Sequence, residues 1–154
     1  MAAKKESNRT TVEQKSDTEM VVTRTFDAPA RIVFEAWTKA ELFQQWWVPK
    51  SLGMALRSCE MDVRTGGSYR LVFANSMAFF GRYLEVVPNS RLVWTNDESP
   101  DGAVTTVTFA EKAGKTLLTL SERYPTKEAL DASAGSADGL PESFAQLDAF
   151  LAGR

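Results

Sequence analysis

The chain has 154 residues, 44% hydrophobic and 25% charged, with 18 Lys and Arg against 20 Asp and Glu. That length suits one globular unit with a real core, and a formal charge of -2 carries no global electrostatic footprint for nucleic acid. There is no histidine, and Cys59 is the single cysteine; this excludes His-based catalytic pairs, an intramolecular disulfide and a Cys/His zinc set.

Residues Met1 to Thr18 are polar and carry both signs of charge. They lack the apolar stretch of a signal peptide. No segment approaches the ~20 apolar residues of a membrane helix. The expectation is a cytoplasmic protein with a disordered polar tail over 1–18 and one domain over 19–154.

Glu19 to Phe26 alternates in the manner of a strand. Asp27-Ala28-Pro29 then opens a short helix through Trp37, with proline expected at its first position. Thr38-Lys39-Ala40-Glu41 has the form of a capping box, so a second short helix is expected there, stopped by Pro49. Trp46 and Trp47 end it. Adjacent helical residues point about 100° apart, so one indole belongs to the core and the other to a cavity lip.

From Met54 onward the chain reads as strands and turns. A strand ends near Arg64, before Gly66-Gly67. Others run from Tyr69 to Ala74, from Met77 or Ala78 to Val87, from Arg91 to Asn96, from Ala103 to Glu111 and from Thr116 to Tyr124. Short loops favour antiparallel neighbours, because parallel strands need long crossovers. The sum is a seven-stranded antiparallel sheet in an α+β fold. A sheet this wide curls through its own twist, and its apolar face must be covered by helices.

After Pro125 the pattern becomes helical, with Thr126 as N-cap. Leu140, Phe144, Leu147 and Leu151 recur at helical spacing. Pro141 is incompatible with a helix interior. A helix near Lys127 to Ser133, a break around Gly135 to Leu140 and a second helix from Pro141 to Ala152 are therefore expected.

Several stretches at matching order now carry a family resemblance. They are Thr25-Phe26-Asp27-Ala28-Pro29, Val33-Phe34-Glu35-Ala36-Trp37-Thr38, Trp46-Trp47-Val48-Pro49 and Asp62-Val63-Arg64-Thr65-Gly66-Gly67-Ser68-Tyr69-Arg70. Gly81-Arg82-Tyr83-Leu84-Glu85-Val86-Val87-Pro88, Arg91-Leu92-Val93-Trp94-Thr95 and Val107-Thr108-Phe109 complete the set. Together they resemble the START-like, or SRPBCC, superfamily, in the branch of homologues of the chaperone-ATPase activator Aha. The resemblance covers Val21 to Leu151. It implies a birch-pollen-allergen-like helix-grip fold: a curved sheet, two short helices after the first strand, and a C-terminal helix packed over an apolar cavity. It implies no shared reaction. Members of the branch typically carry Met and Trp where this chain has Ser136 and Leu140, and no proline at Pro141. Smaller residues there should enlarge or open the cavity beside the last helix.

The expected function is binding of a small hydrophobic molecule between sheet and C-terminal helix. Its candidate contacts are Trp46, Tyr69, Leu71, Phe73, Phe79, Trp94, Leu118, Leu120, Leu140 and Phe144. A cyclase, dehydratase or hydrolase is the alternative. Without histidine it would rely on groups such as Glu122 and Tyr69 for acid–base work. Glu122 shares the parity of Leu118 and Leu120, so a regular strand points it inward; a frayed strand end would leave it in water. A chaperone-assisting module is the third reading, with no partner-specific motif to support it. Met77-Ala78-Phe79-Phe80 is apolar on both parities and leaves a homodimer face or a cavity lip open. Glu60, Asp62 and Arg64 read as a surface ion-pair ladder, and Cys59 as an inert core thiol. Gly135 and Gly139, a GxxxG pair, permit close helix–sheet approach. No cofactor, metal or nucleic acid is expected.

Overall fold

The computed structural model describes residues 9–53, 55–98, 100–133 and 139–153. Eight strands form one sheet: β1 (Thr11–Gln14), β2 (Glu19–Phe26), β3 (Leu56–Met61), β4 (Ser68–Phe73), β5 (Ala78–Val87), β6 (Arg91–Thr95), β7 (Val104–Lys112) and β8 (Lys115–Arg123). Their order is β1-β2-β8-β7-β6-β5-β4-β3, and every pairing is antiparallel. Each chain-adjacent pair from β3 to β8 is a hairpin-like neighbour, as short connections require. The sheet closes its chain order by laying β2 against β8, with Val22 opposite Leu120.

The expected seven strands are thus eight. The addition lies in the stretch read as a polar tail. Thr11–Gln14 is exposed at every position, so its side chains carry no alternation to betray it. It is held by pairing with β2, Val12 opposite Val22. Residues 1–8 of the expected tail lie outside the described residues.

Helix α1 (Ala30–Thr38) follows β2. Pro29 is its N-cap rather than its first residue, and the Ala30 amide donates instead to the Glu111 carboxylate of β7 at 2.8 Å. Helix α2 (Ala40–Phe43) is a single turn. The capping box does not form: Thr38 is the last residue of α1, and its hydroxyl donates back to the Phe34 carbonyl at 2.9 Å. A short 3-10 turn spans Lys50–Leu52.

Two helices follow the sheet. Helix α3 (Lys127–Ala132) starts at Thr126, whose hydroxyl accepts from the Ala129 amide at 3.0 Å. Helix α4 (Leu140–Ala152) carries Pro141 in its first turn, where the missing N–H costs nothing. Gly135 and Ser136, between them, lie outside the described residues.

Alternation builds the core. In β7, Thr105, Val107 and Phe109 are buried; in β8, Thr116, Leu118 and Leu120 are buried. Helix α4 covers β2 with Phe144 and Leu147, both fully buried. Phe144 meets Phe26 edge-on at 5.8 Å between ring centroids. Arg24 of β2 reaches Asp148 of the same helix at 3.3 Å. The Arg24 guanidinium is partly desolvated, which lowers its pKa despite Asp148; its central carbon lies 5.4 Å from the centroid of the Phe26 ring.

Two irregularities shape the far half of the sheet. Register shifts fall between Leu56 and Ser58 of β3 and between Tyr83 and Glu85 of β5, where bulges bend a strand. Gly81 lies just before the second. A Cβ there would sit 2.0 Å from the Thr95 carbonyl oxygen, so only glycine lets β5 pass this close to the end of β6.

Candidate functional site

A cavity of about 620 Å3 lies on the helix-covered side of the sheet. Its walls come from consecutive strands: Met61 of β3, Tyr69 and Leu71 of β4, Phe79 and Tyr83 of β5, Leu92 and Trp94 of β6, and Glu122 of β8. Trp37 of α1, Phe43 of α2 and Trp47 form another side. The β6–β7 connection supplies Asn96, Glu98, Asp101, Gly102 and Ala103, and the entry to α3 supplies Tyr124, Thr126, Glu128 and Ala129. Ala132 and Ser133 complete it. Glu98, Asp101 and Glu128 are exposed, so this end meets solvent.

Five of the residues expected here line the cavity: Tyr69, Leu71, Phe79, Trp94 and Glu122. Six others lie elsewhere. Trp46 is fully buried, and its indole N–H donates to the Ala36 carbonyl at 3.1 Å. Trp47, by contrast, is half-buried and lines the cavity wall. Leu118, Leu120 and Phe144 are packed solid in the core. Phe73 and Leu140 face a second hollow of about 460 Å3.

The cavity was expected between the sheet and the C-terminal helix. Among the described residues, none of α4 lines it. The reason is steric: Phe144 and Leu147 fill the space beneath that helix. The room lies farther along the sheet, under α1, α2 and α3. The second hollow does lie beside the start of α4, bordered by Gly139, Leu140, Glu142 and Ser143. Trp47 and Phe79 border both hollows.

Helix α4 serves the cavity indirectly. Gln146 donates to the carbonyls of Trp46 and Val48 at 2.8 and 2.9 Å and accepts from the Lys50 amide at 2.8 Å. Ser143 donates to the Trp47 carbonyl at 2.7 Å, and Glu142 accepts from the Ser51 amide and hydroxyl. The latter two bonds hold the exposed Glu142 carboxyl below its usual pKa. These side chains satisfy the irregular backbone that carries Trp47. The sequence signal was present in Gln146, which lies three residues after Ser143 and four after Glu142, the spacings that share a helical face.

Polar groups on the wall differ in how well they are satisfied. Tyr69 donates its hydroxyl to the Thr95 carbonyl at 2.7 Å. Burial pushes the phenols of Tyr69 and Tyr83 well above the usual tyrosine range. In this arrangement the Tyr69 hydroxyl proton is directed to the backbone carbonyl of Thr95. Asn96 donates to the Ala103 carbonyl at 2.7 Å and to the Thr105 hydroxyl at 3.0 Å, pinning the β6–β7 connection. By contrast, the buried Oε1 of Glu122 and the buried Nε1 of Trp37 have no hydrogen-bond partner among the described residues. Burial raises the Glu122 carboxyl above its usual pKa. The strand stays regular to Arg123, so Glu122 follows the parity of Leu118 and Leu120; the residue is half-buried, with its Oε1 enclosed.

Cys59 is half-buried, and burial pushes its thiol up to about 11, away from reactive thiolate. Of the expected ion-pair ladder, Arg64 and Asp62 pair at 2.9 Å beyond the end of β3. No group of three or more Asp, Glu and Cys side chains among the described residues could hold a metal ion. No helix among them is long and apolar enough to cross a membrane.

Comparison with known proteins places this geometry. The chain matches a solved structure from Rhodobacter sphaeroides with a TM-score of 0.84 and 25% identity, over 94% of this chain and 99% of the other. A solution structure from Staphylococcus epidermidis matches at 0.75 and 29%, over 92% and 93%. A crystal structure from Nitrosomonas europaea shares the fold at 0.80 and 21%, over 90% and 97%. Comparison with curated proteins finds no match. The family model described as "Activator of Hsp90 ATPase homolog 1-like protein" matches residues 27–152. With its single antiparallel sheet and covering helices, the chain belongs to that START-like family.

Proposed function

We propose that the protein binds a small, largely apolar molecule in the cavity under α1, α2 and α3. The observation that carries this reading is the cavity itself. Its volume of about 620 Å3 falls within the ~300–1,000 Å3 range of small-molecule sites. Trp37, Phe43, Trp47, Phe79 and Trp94 give it an aromatic wall. Rings offer large apolar contact at little entropic cost, because few torsions must be frozen. The family to which the chain belongs commonly binds hydrophobic ligands, which supports the same reading.

Three of the four tryptophans line the cavity, which makes the test direct. N-Phenyl-1-naphthylamine is nearly dark in water and bright in apolar surroundings, and it accepts energy from indoles. Titrated into the protein, it should show saturable one-to-one binding, with tryptophan emission falling as probe emission rises. A folded protein that gives no saturable signal would rule the reading out.

A further inference from the structure

We infer that the ligand of this cavity carries a basic nitrogen, so that the site takes an alkyl or aryl ammonium rather than a fatty acid. The inference rests on the apolar-binding reading above and adds a chemical class to it. Among the described residues, four of the lining side chains are carboxylates, Glu98, Asp101, Glu122 and Glu128, and none is Lys or Arg. The chain has no histidine to supply a positive charge.

The carboxylates occupy two levels. Glu98, Asp101 and Glu128 are exposed at the mouth, where like-signed groups around a cleft attract cations and repel anions. Glu122 lies deeper, and its buried Oε1 accepts no hydrogen bond from the described residues. A buried acceptor without a donor is destabilising, more so when it can ionise. Neither cross-strand neighbour of Glu122 is a cation, and Arg24 of β2 is engaged by Asp148 of α4. The residues paired with Glu122 are Met20 of β2 and Thr105 of β7. An incoming ammonium supplies both the missing donor and the missing charge, and such charge-assisted bonds are about twice as strong as neutral ones.

The walls suit the same partner. Tyr69 and Tyr83 lie 5.7 Å apart between ring centroids, and Trp94 lies 6.0 Å from Trp37. Aromatic faces attract cations through their quadrupoles, and rings grouped with a carboxylate form the usual chemistry of ammonium recognition. An anionic head group would meet only like charge at the mouth and at Glu122. A neutral alcohol could donate to Glu122 but would gain nothing from the mouth.

The test uses octylamine, octanol and octanoate, which share one chain length, in competition with bound N-phenyl-1-naphthylamine at neutral pH. Octylamine should displace the probe at about one-tenth the concentration octanol requires, with octanoate weakest. In Glu122→Gln the amine-to-alcohol ratio should fall toward one. Octanoate equal to or better than octylamine would overturn the inference, as would an amine preference that survives Glu122→Gln unchanged. Failure of the probe itself to bind would instead remove the underlying reading, so the two failures are distinguishable.

Discussion

Replacing Trp37 by alanine should lower folding stability by about 3–5 kcal/mol. Trp37 is 2% exposed and touches six other rings: Phe43, Trp46, Trp47, Trp94, Phe109 and Phe144. These rings belong to α2, the segment after it, β6, β7 and α4. Their centroids lie between 4.9 and 6.2 Å from that of Trp37, within the range of favourable aromatic pairs. Removing the indole opens a hole that no single element can collapse into, because each is fixed by the others. Since domain stability is commonly ~5–15 kcal/mol, the loss is a large part of the whole. Trp37→Phe should cost much less, because the indole N–H has no hydrogen-bond partner among the described residues. Denaturant unfolding monitored by circular dichroism measures both, as a shift in midpoint at constant slope. A cost below about 1 kcal/mol for the alanine variant would show that this cluster does not tie the helices to the sheet.

Glu122→Gln should stabilise the protein at neutral and alkaline pH and leave it unchanged in acid. The sign follows from linkage. Burial raises the folded-state pKa of Glu122 above its unfolded value, so the folded protein holds this proton more tightly. The resulting stability is fully present below the unfolded pKa and is lost as pH rises through the folded pKa. Above that point a desolvated charge faces Glu98, Asp101 and Glu128 across the cavity, along with Tyr69, Tyr83 and Tyr124. Glutamine keeps the shape and removes the charge. Thermal melts of both proteins across pH 4 to 9 should therefore diverge upward, at about 2–4 °C per kcal/mol for a chain this size. Parallel curves would mean that Glu122 reaches water in solution.

The strands were legible in the sequence because burial follows parity. Leu118 and Leu120 on one side and Val107 and Phe109 on the other announced which face was inward. The same rule pointed Glu122 inward, and the rarity of unpaired buried glutamates argued against it; the regular strand decided the matter. Strand β1 was not legible, because Thr11–Gln14 is held through backbone pairing and exposes every side chain. The capping box at Thr38 was misleading, since a threonine hydroxyl serves equally well by donating to the previous turn.

The candidate site was legible only in part. Tyr69, Leu71, Phe79 and Trp94 lie on strands, where alternation identifies the inner face. The mouth is built from Glu98, Asp101 and Gly102 in a connection without periodicity, and from the short helix α3. Which helix fills its own footprint is a matter of packing. Phe144 and Leu147 close the space under α4, whereas α1 and α2 leave room near Trp37 and Trp47. No spacing rule distinguishes those cases.

The location of the binding site can be read from the four indole N–H signals in a nitrogen–proton correlation spectrum, recorded as N-phenyl-1-naphthylamine is added. Trp37, Trp47 and Trp94 line the cavity, whereas Trp46 is buried and hydrogen-bonded to Ala36. Binding inside should shift the first three signals saturably and move that of Trp46 least. Saturation of the probe with all four signals unmoved would place it outside the cavity and contradict the account.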